Sequence, residues 1–443
     1  MACILSAPST DNGKTTLALL ISCWAIKKGL KLQTFKVGPD YLDQQQLSSI
    51  GHPICRNLDI FLSGEDWIEK TFYKYSNKYD LSLIEGAMGL FDGLGSTDHS
   101  STAHIARVLN IPIIFIVNAT GKVASLLPLL NGFRDFDKRI SIKGIIFNNV
   151  NSERHKKLIS EVFKNVNIEI LGFLPSNPKI SLKKGNLGII SPLESKGSVN
   201  IDYFANFAEK HLNLKLLIKF LQPENKSSFF SYERLQKINK FVPIAIAEDN
   251  IFHFQYPETK EFLEDNGISL IPWNIFNDEE IPNGVSSLII PGGFPEKFAH
   301  HISQSKRSLD SLRRFKNKGF IYAECGGMMI LGEYIEDTAG NRHKMAGILP
   351  FSSKKGKLKL GYRYLKGEKN SLLLDEQHLA KGHEFHYWEI ENSNSESFPR
   401  RDKTLAKYAS PWKVKSWTTK YKKEGWASNN LHASWVHLHL PSS

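Results

Sequence analysis

The sequence predicts an α/β protein with two sheet domains in tandem. In the N-terminal half, short β-rich apolar runs alternate with helical patterns, the rhythm of βαβ units and a doubly wound parallel sheet. A polar break, Gln222-Pro-Glu-Asn-Lys-Ser-Ser, interrupts this pattern before a second alternation begins at Val242. A chain of 443 residues, 41% hydrophobic and 23% charged, is large enough for two or three packed units and far from the charge-rich signature of disorder.

The expected strands of the first domain are Ala2 to Ala7, Leu32 to Val37, Leu81 to Glu85, Ile111 to Val117 and Gly144 to Asn148, with a helix from Thr15 to Lys28. Each strand is largely apolar and followed by a turn residue, as in parallel strands covered on both faces whose carboxyl ends carry ligand loops. We expect this domain to occupy 1–213, a linker 214–240, and a second α/β domain 241–443. The second series runs through Val242 to Ala247, Ile268 to Pro272, Ser287 to Pro291 and Phe320 to Ala323. The Lys- and Tyr-rich stretch from Lys354 to Lys423 reads as antiparallel strands and loops, and Ser434 to Leu440 as a final strand.

Composition narrows the class further. The first residues enter a strand with no basic region or cleavage pattern of an export signal. The longest apolar stretches, Leu17 to Ile26 and Ile111 to Val117, fall short of the roughly 20 residues that span a membrane. Cys3, Cys23, Cys55 and Cys325 form no C-x-x-C pair, which argues against a disulfide framework or a zinc site. The expectation is a cytoplasmic enzyme with no membrane partner. A formal charge of +12 suits an anionic partner, whether nucleic acid, nucleotide or polycarboxylate.

Ala7-Pro-Ser-Thr-Asp-Asn-Gly-Lys-Thr-Thr16 lies between a strand and a helix, where a P-loop must lie to aim backbone N–H groups at phosphates. Gly13 would allow close backbone approach, Lys14 would reach the β and γ phosphates of ATP, Thr15 would bind Mg²⁺, and Thr16 would add a phosphate contact. Pro8 replaces the first glycine of the usual pattern. Carboxylates close the neighbouring strands: Asp40 and Asp43 after the second, Glu85 and Asp92 after the third. Glu85 is best placed for Mg²⁺, with Thr15 and Asp40 as co-ligands; Asp40, Asp43 and Asp92 are candidates for orienting a substrate.

In the second domain, Cys325 sits on a strand-to-helix turn within Glu324-Cys-Gly-Gly, where a helix N-terminus favours thiolate. Backbone N–H groups of Gly293, in the Pro-Gly-Gly loop, and of Gly326 are candidates for an oxyanion hole. His437 and His439 alternate on one apparent strand, and spacing does not choose between them as partner to the thiol. Gly382-His383-Glu384-Phe-His386-Tyr forms a third polar cluster, which we expect to contact substrate.

In order along the chain, the P-loop, Lys36-Val-Gly-Pro-Asp-Tyr-Leu-Asp, Arg56-Asn-Leu-Asp59, Glu85-Gly-Ala-Met-Gly-Leu-Phe-Asp-Gly, Pro291-Gly-Gly-Phe-Pro-Glu, Glu324-Cys-Gly-Gly, Gly382-His-Glu-Phe-His-Tyr and His-Leu-His resemble the cobyrinic acid a,c-diamide synthase family. The resemblance covers nearly the whole chain. It implies a dethiobiotin synthetase-like ATP-binding domain followed by a class I glutamine amidotransferase-like domain, with ATP and Mg²⁺ as cofactors. The substrates it implies are glutamine and a tetrapyrrole polycarboxylate, with no nucleic acid and with a homodimer allowed. By the same resemblance Cys325 is the nucleophile and His437 its histidine. Class I glutaminases commonly place a glutamate two residues after that histidine; here the position holds His439, so a Cys-His dyad is expected. Asp11, Gln44 and Asn118 stand where the family commonly has glycine, proline and aspartate. Related tetrapyrrole synthases acting on hydrogenobyrinic acid or nickel-sirohydrochlorin share these motifs. A partitioning-type P-loop ATPase that binds DNA would explain the first domain alone.

Overall fold

A computed structural model describes residues 2–51, 53–182, 184–185, 188–189, 199–223, 242–369, 371–392 and 408–442. The chain divides into two compact units, Met1–Phe230 and Ser231–Ser443.

The first unit is a seven-stranded parallel sheet in the order β3-β2-β4-β1-β5-β6-β7. Its strands are β1 (Cys3–Ser6), β2 (Leu32–Val37), β3 (Arg56–Leu58), β4 (Leu81–Glu85), β5 (Ile113–Asn118), β6 (Ile142–Asn148) and β7 (Glu169–Leu174). All five expected strands are present. The outer strands β3 and β7 add to them: β3 is only three residues long and β7 begins half-exposed, so neither carries a long apolar signal. Helix α1 (Lys14–Lys27) is apolar nearly all round because it is covered nearly all round, with Leu17 through Ala25 buried between the sheet and helix Ile201–His211. The short helix Leu214–Lys219 opens the segment expected as a linker, and its Leu217, with the following Leu221, is buried in this first core. Residues 224–240 of that segment lie outside the described residues.

Among the described residues the second unit contains two large sheets and a small antiparallel one, Phe252–Phe254 with Gly292–Gly293. In the first, Ile268–Trp273, Val242–Ala247, Ser287–Ile290, Phe320–Glu324 and Leu431–Ser434 lie side by side in parallel, and Trp426–Ser428 adds an antiparallel edge. The second is dominated by a long antiparallel pair, Phe351–Gly367 with Leu379–Asn392, as the Lys- and Tyr-rich pattern leads one to expect. Residues 393–407 of that stretch lie outside the described residues. The single strand expected at Ser434 to Leu440 is instead two. Leu431–Ser434 belongs to the parallel sheet, whereas Val436–Leu438 crosses to pair with Gly382–Glu384 in the other. Trp435 marks the switch, and a run of alternating apolar residues reads the same in either sheet. All four cysteines are buried and none is paired in a disulfide.

Candidate active sites

At the carboxyl end of β1 the chain turns through residues that accept unusual backbone angles. Asp11 has φ 63° and Gly13 φ 100°, the latter as N-cap of α1. Left-handed φ explains why glycine would suit position 11, and aspartate is among the side chains that tolerate it best. A Cβ on Gly13 would lie 2.6 Å from Asn148 Nδ2, so the loop also needs a residue without one. Asn12 ties the loop down: its Oδ1 accepts from Asn118 N–H and its carbonyl accepts from Asn148 Nδ2. Asn118 thus remains part of the nucleotide end of the sheet without a carboxylate.

Lys14 is buried, donating to Ser9 O at 3.1 Å and to Met88 O at 2.6 Å. Burial, then repulsion from Lys36, lowers its pKa to about 8. Thr15 Oγ1 donates to Glu85 Oε1 at 2.5 Å and lies 3.5 Å from Asp43 Oδ2. Lys36, which sequence reasoning did not single out as a site residue, joins these carboxylates. Its Nζ lies 2.5 Å from Asp43 Oδ2 and 2.9 Å from Glu85 Oε1, fully inside the protein. Burial opposes this ammonium, but Asp43 and Glu85 outweigh the desolvation and hold its pKa above the ordinary lysine value. Burial likewise raises Glu85. A lysine in the inward pattern of a strand otherwise apolar at its end was the available signal.

Asp40 does not join this knot directly. It is the N-cap of helix α2 (Tyr41–Ser48), accepting from Asp43 N–H at 3.0 Å, and burial with the Asp43 charge raises it to about 7. Gln44, inside α2, donates to Cys55 O at 2.7 Å and so fastens the helix to the strand-leading loop. Asp92 is exposed and accepts from Gly89 N–H at 2.9 Å, the work of a turn residue. Thr16 is half-buried at the start of α1.

Among the described residues no three His, Cys, Asp or Glu side chains converge to hold a metal ion. Mg²⁺ takes one or two protein oxygens and completes its shell with phosphate and water. The donor set fits: Thr15 Oγ1 meets Glu85 Oε1, while Glu85 Oε2 is buried with no hydrogen-bond partner among the described residues.

The second site is built on the turn after Phe320–Glu324. Cys325 has φ 48° and ψ −110°, a conformation strained for a residue with a Cβ and typical of nucleophile elbows. Its N–H donates to Ser434 O at 2.7 Å, its carbonyl starts the short helix Gly326–Met329, and its sulfur lies 3.7 Å from Phe385 O. Glycines pack this turn closely. A Cβ on Gly326 would lie 2.8 Å from Gly293 O and 3.1 Å from Gly293 N, and one on Gly293 only 1.7 Å from Ile251 O.

The expectation that a helix dipole favours thiolate does not hold here. Burial first, then the Glu296 charge, push the Cys325 thiol well above its ordinary pKa. The helix has only four residues, and three glutamates, Glu296, Glu324 and Glu384, act against the anion.

The two histidines that spacing left equivalent are separated by their surroundings. His437 is completely buried, with Nδ1 3.3 Å from Glu324 Oε2, and a Cβ on Gly292 would lie 2.3 Å from its Cε1. His439 lies past the strand end with Nδ1 2.6 Å from Ser442 Oγ, its pKa lowered by burial to about 3. The third polar cluster, expected to contact substrate, has His383, Glu384 and His386 in the interior. Glu384 is engaged by Arg363 Nε and by His386 Nε2 at 2.8 Å, and His386 stacks on Trp435 at 3.9 Å between ring centroids. These side chains satisfy one another rather than reaching outward. His383 pairs with His437 across the ladder.

The family model for a CobB/CobQ-like glutamine amidotransferase domain matches residues 243–443, and that for an AAA domain matches residues 55–184. Curated relatives match nearly the full chain. A cobyrinate a,c-diamide synthase of Caldanaerobacter subterraneus subsp. tengcongensis is 35% identical over 99% of this chain and 94% of its own length. That of a Synechococcus strain is 35% identical over 99% and 95%, and that of a Synechocystis strain 33% identical over 100% and 91%.

Proposed function

The chain belongs to the cobyrinate a,c-diamide synthase family and is a glutamine-dependent, amide-forming ligase; we propose that it amidates the a and c acetate carboxylates of cobyrinic acid. What supports this most directly is a chemical pairing on one chain: a nucleotide loop carrying Lys14 and Thr15 beside buried Glu85, and a cysteine elbow whose preceding residue, Glu324, reaches the buried His437.

A free carboxylate does not react with ammonia at neutral pH, so it must first gain a leaving group. At the first site the substrate carboxylate attacks the γ phosphorus of ATP, releasing ADP and forming an acyl phosphate. Lys14 neutralises the migrating phosphoryl group, and the N–H groups following Gly13 cradle the phosphates. Thr15 and Glu85 would hold Mg²⁺, with Asp40 adjoining; bound there, the ion supplies charge neutralisation to the phosphates. Lys36 holds Glu85 and Asp43 in place. We assign Asp40 and Asp43 to orienting the substrate at this edge, and Asp92 to shaping its rim.

At the second site His437 takes the thiol proton and Cys325 attacks the glutamine amide carbon. Gly293 and Gly326 N–H groups stabilise the oxyanion, the C–N bond breaks as His437 returns its proton to the departing nitrogen so that ammonia leaves, and water hydrolyses the thioester to glutamate and the free thiol. Ammonia then displaces phosphate from the acyl phosphate to give the amide.

The test is incubation with Mg-ATP, glutamine and a panel of cobyrinic acid, hydrogenobyrinic acid and nickel-sirohydrochlorin, reading product mass. Two successive amidations of cobyrinic acid are expected; preference for another member of the panel reassigns the substrate. Cys325→Ala should abolish turnover with glutamine while ammonium salts still support it. Unchanged glutamine turnover in that variant overturns the nucleophile.

A further inference from the structure

The residue two positions after His437, where a glutamate would complete a nucleophile triad, is a histidine turned toward Ser442. A carboxylate nevertheless reaches the ring from elsewhere. Glu324, the residue immediately before Cys325, ends the strand Phe320–Glu324, and its side chain crosses to His437. We infer that Glu324 is the third member of a Cys325–His437–Glu324 triad, a positioning residue that fixes the imidazole tautomer. This inference rests on the proposed thiol–imidazole chemistry and deepens it.

The hydrogen bonds around Glu324 make its two oxygens unequal. Oε1 accepts from Leu438 N–H at 3.0 Å and from the Tyr322 hydroxyl. Oε2 faces His437 Nδ1 at 3.3 Å. Two donors therefore lock Oε1, and the remaining oxygen has one role, to accept a proton from Nδ1. With Nδ1 protonated, Nε2 is left as the basic nitrogen. As His437 takes up the thiol proton it becomes a cation in a buried site, and Glu324 offsets that charge. The carboxylate is buried with the ring, so the pair acts in a medium of low dielectric.

The same asymmetry sets the test. In Glu324→Gln the amide oxygen must take the Oε1 place, because Leu438 N–H and the tyrosine hydroxyl both donate there. The NH₂ then faces Nδ1 and donates to it, which forces the proton onto Nε2 and removes the base. The expected result is a fall in kcat with glutamine of about 10²-fold or more, with the KM for glutamine within a few-fold of wild type and the ammonia-supported rate retained. Nitrogen-15 NMR of histidine-labelled protein should show the His437 ring as the Nδ1–H tautomer in wild type and Nε2–H in the variant. Glu324→Asp keeps the acceptor on a shorter arm and should retain the Nδ1–H tautomer with a smaller loss of kcat. Should the glutamine variant not fold, a wild-type kcat in Glu324→Asp, or an Nε2–H tautomer in the wild-type protein, overturns the inference. A wild-type kcat in folded Glu324→Gln overturns it equally. If Cys325→Ala retains glutamine turnover, the underlying thiol chemistry falls instead, so the two failures are distinguishable.

Discussion

Replacing Lys36 by methionine keeps the buried stem of the side chain and removes an ammonium 2.5 Å from Asp43 Oδ2 and 2.9 Å from Glu85 Oε1. Breaking a buried ion pair from one side costs about 3–5 kcal/mol, because the remaining charge is stranded in low dielectric. A second limit applies here. Glu85 can escape by binding a proton, and protonating an ordinary glutamate at pH 7 costs about 3.7 kcal/mol. Asp43, with its side chain 15% exposed, keeps access to water. The loss at pH 7 is therefore about 3–4 kcal/mol. Its sign with pH follows from linkage. In the variant the folded state holds a proton on Glu85 that the unfolded chain releases at neutral pH, so the variant regains stability as pH falls, leaving a deficit of about 1 kcal/mol at pH 5. Hydrogen exchange read by mass spectrometry on peptides covering Leu32–Val37 and Leu81–Glu85 resolves this without requiring the whole chain to unfold as one unit. After correction for intrinsic rates, exchange should accelerate by about 10²- to 10³-fold at pH 7 and only several-fold at pH 5. Equal acceleration at both pH values refutes the charge argument, and no acceleration refutes a stabilising role for Lys36.

Lys14→Ala and Glu85→Gln should each lower synthesis by about 10²-fold or more with either glutamine or ammonia, since both act before the nitrogen source matters; a wild-type rate with ammonia in either variant counts against the nucleotide site. Gly292→Ala places a methyl group against the His437 ring and should cut glutamine turnover by about 10²-fold while the ammonia-supported rate persists; normal glutamine kinetics would mean that the ring position does not matter. Asp40, raised to about 7, retains a proton in the folded state, so its contribution to stability is full below about pH 4 and lost as pH rises through about 7. Asp40→Asn cannot titrate, and exchange from Tyr41–Ser48 should then lose that pH dependence; an identical slope in wild type and variant would place the buried proton elsewhere.

Two kinds of information were legible in the residues themselves. Element type was one: five strands of the first sheet and four of the second follow from short apolar runs ended by turn residues, because a parallel strand is covered on both faces and shows it locally. Motif chemistry was the other. Gly13-Lys-Thr-Thr and Glu324-Cys-Gly-Gly are patterns of backbone angle and small side chains that operate within a few residues, and Gly13 and Cys325 both have positive φ. What the sequence could not supply is which distant groups meet. Lys36 reads as one of three polar residues in Leu32–Val37, with Gln33 and Thr34, until β2 and β4 pair and bring it against Glu85. His437 and His439 share a pattern until the chain changes sheets at Trp435, which sends one ring to Glu324 and the other to Ser442. Asp40 and Asp92 look alike as loop carboxylates, yet one is half-buried beside a like charge and the other merely closes a turn. Local sequence governs backbone conformation because its energetics are local. Charge state, hydrogen-bond partner and tautomer depend on neighbours that only the tertiary fold assembles.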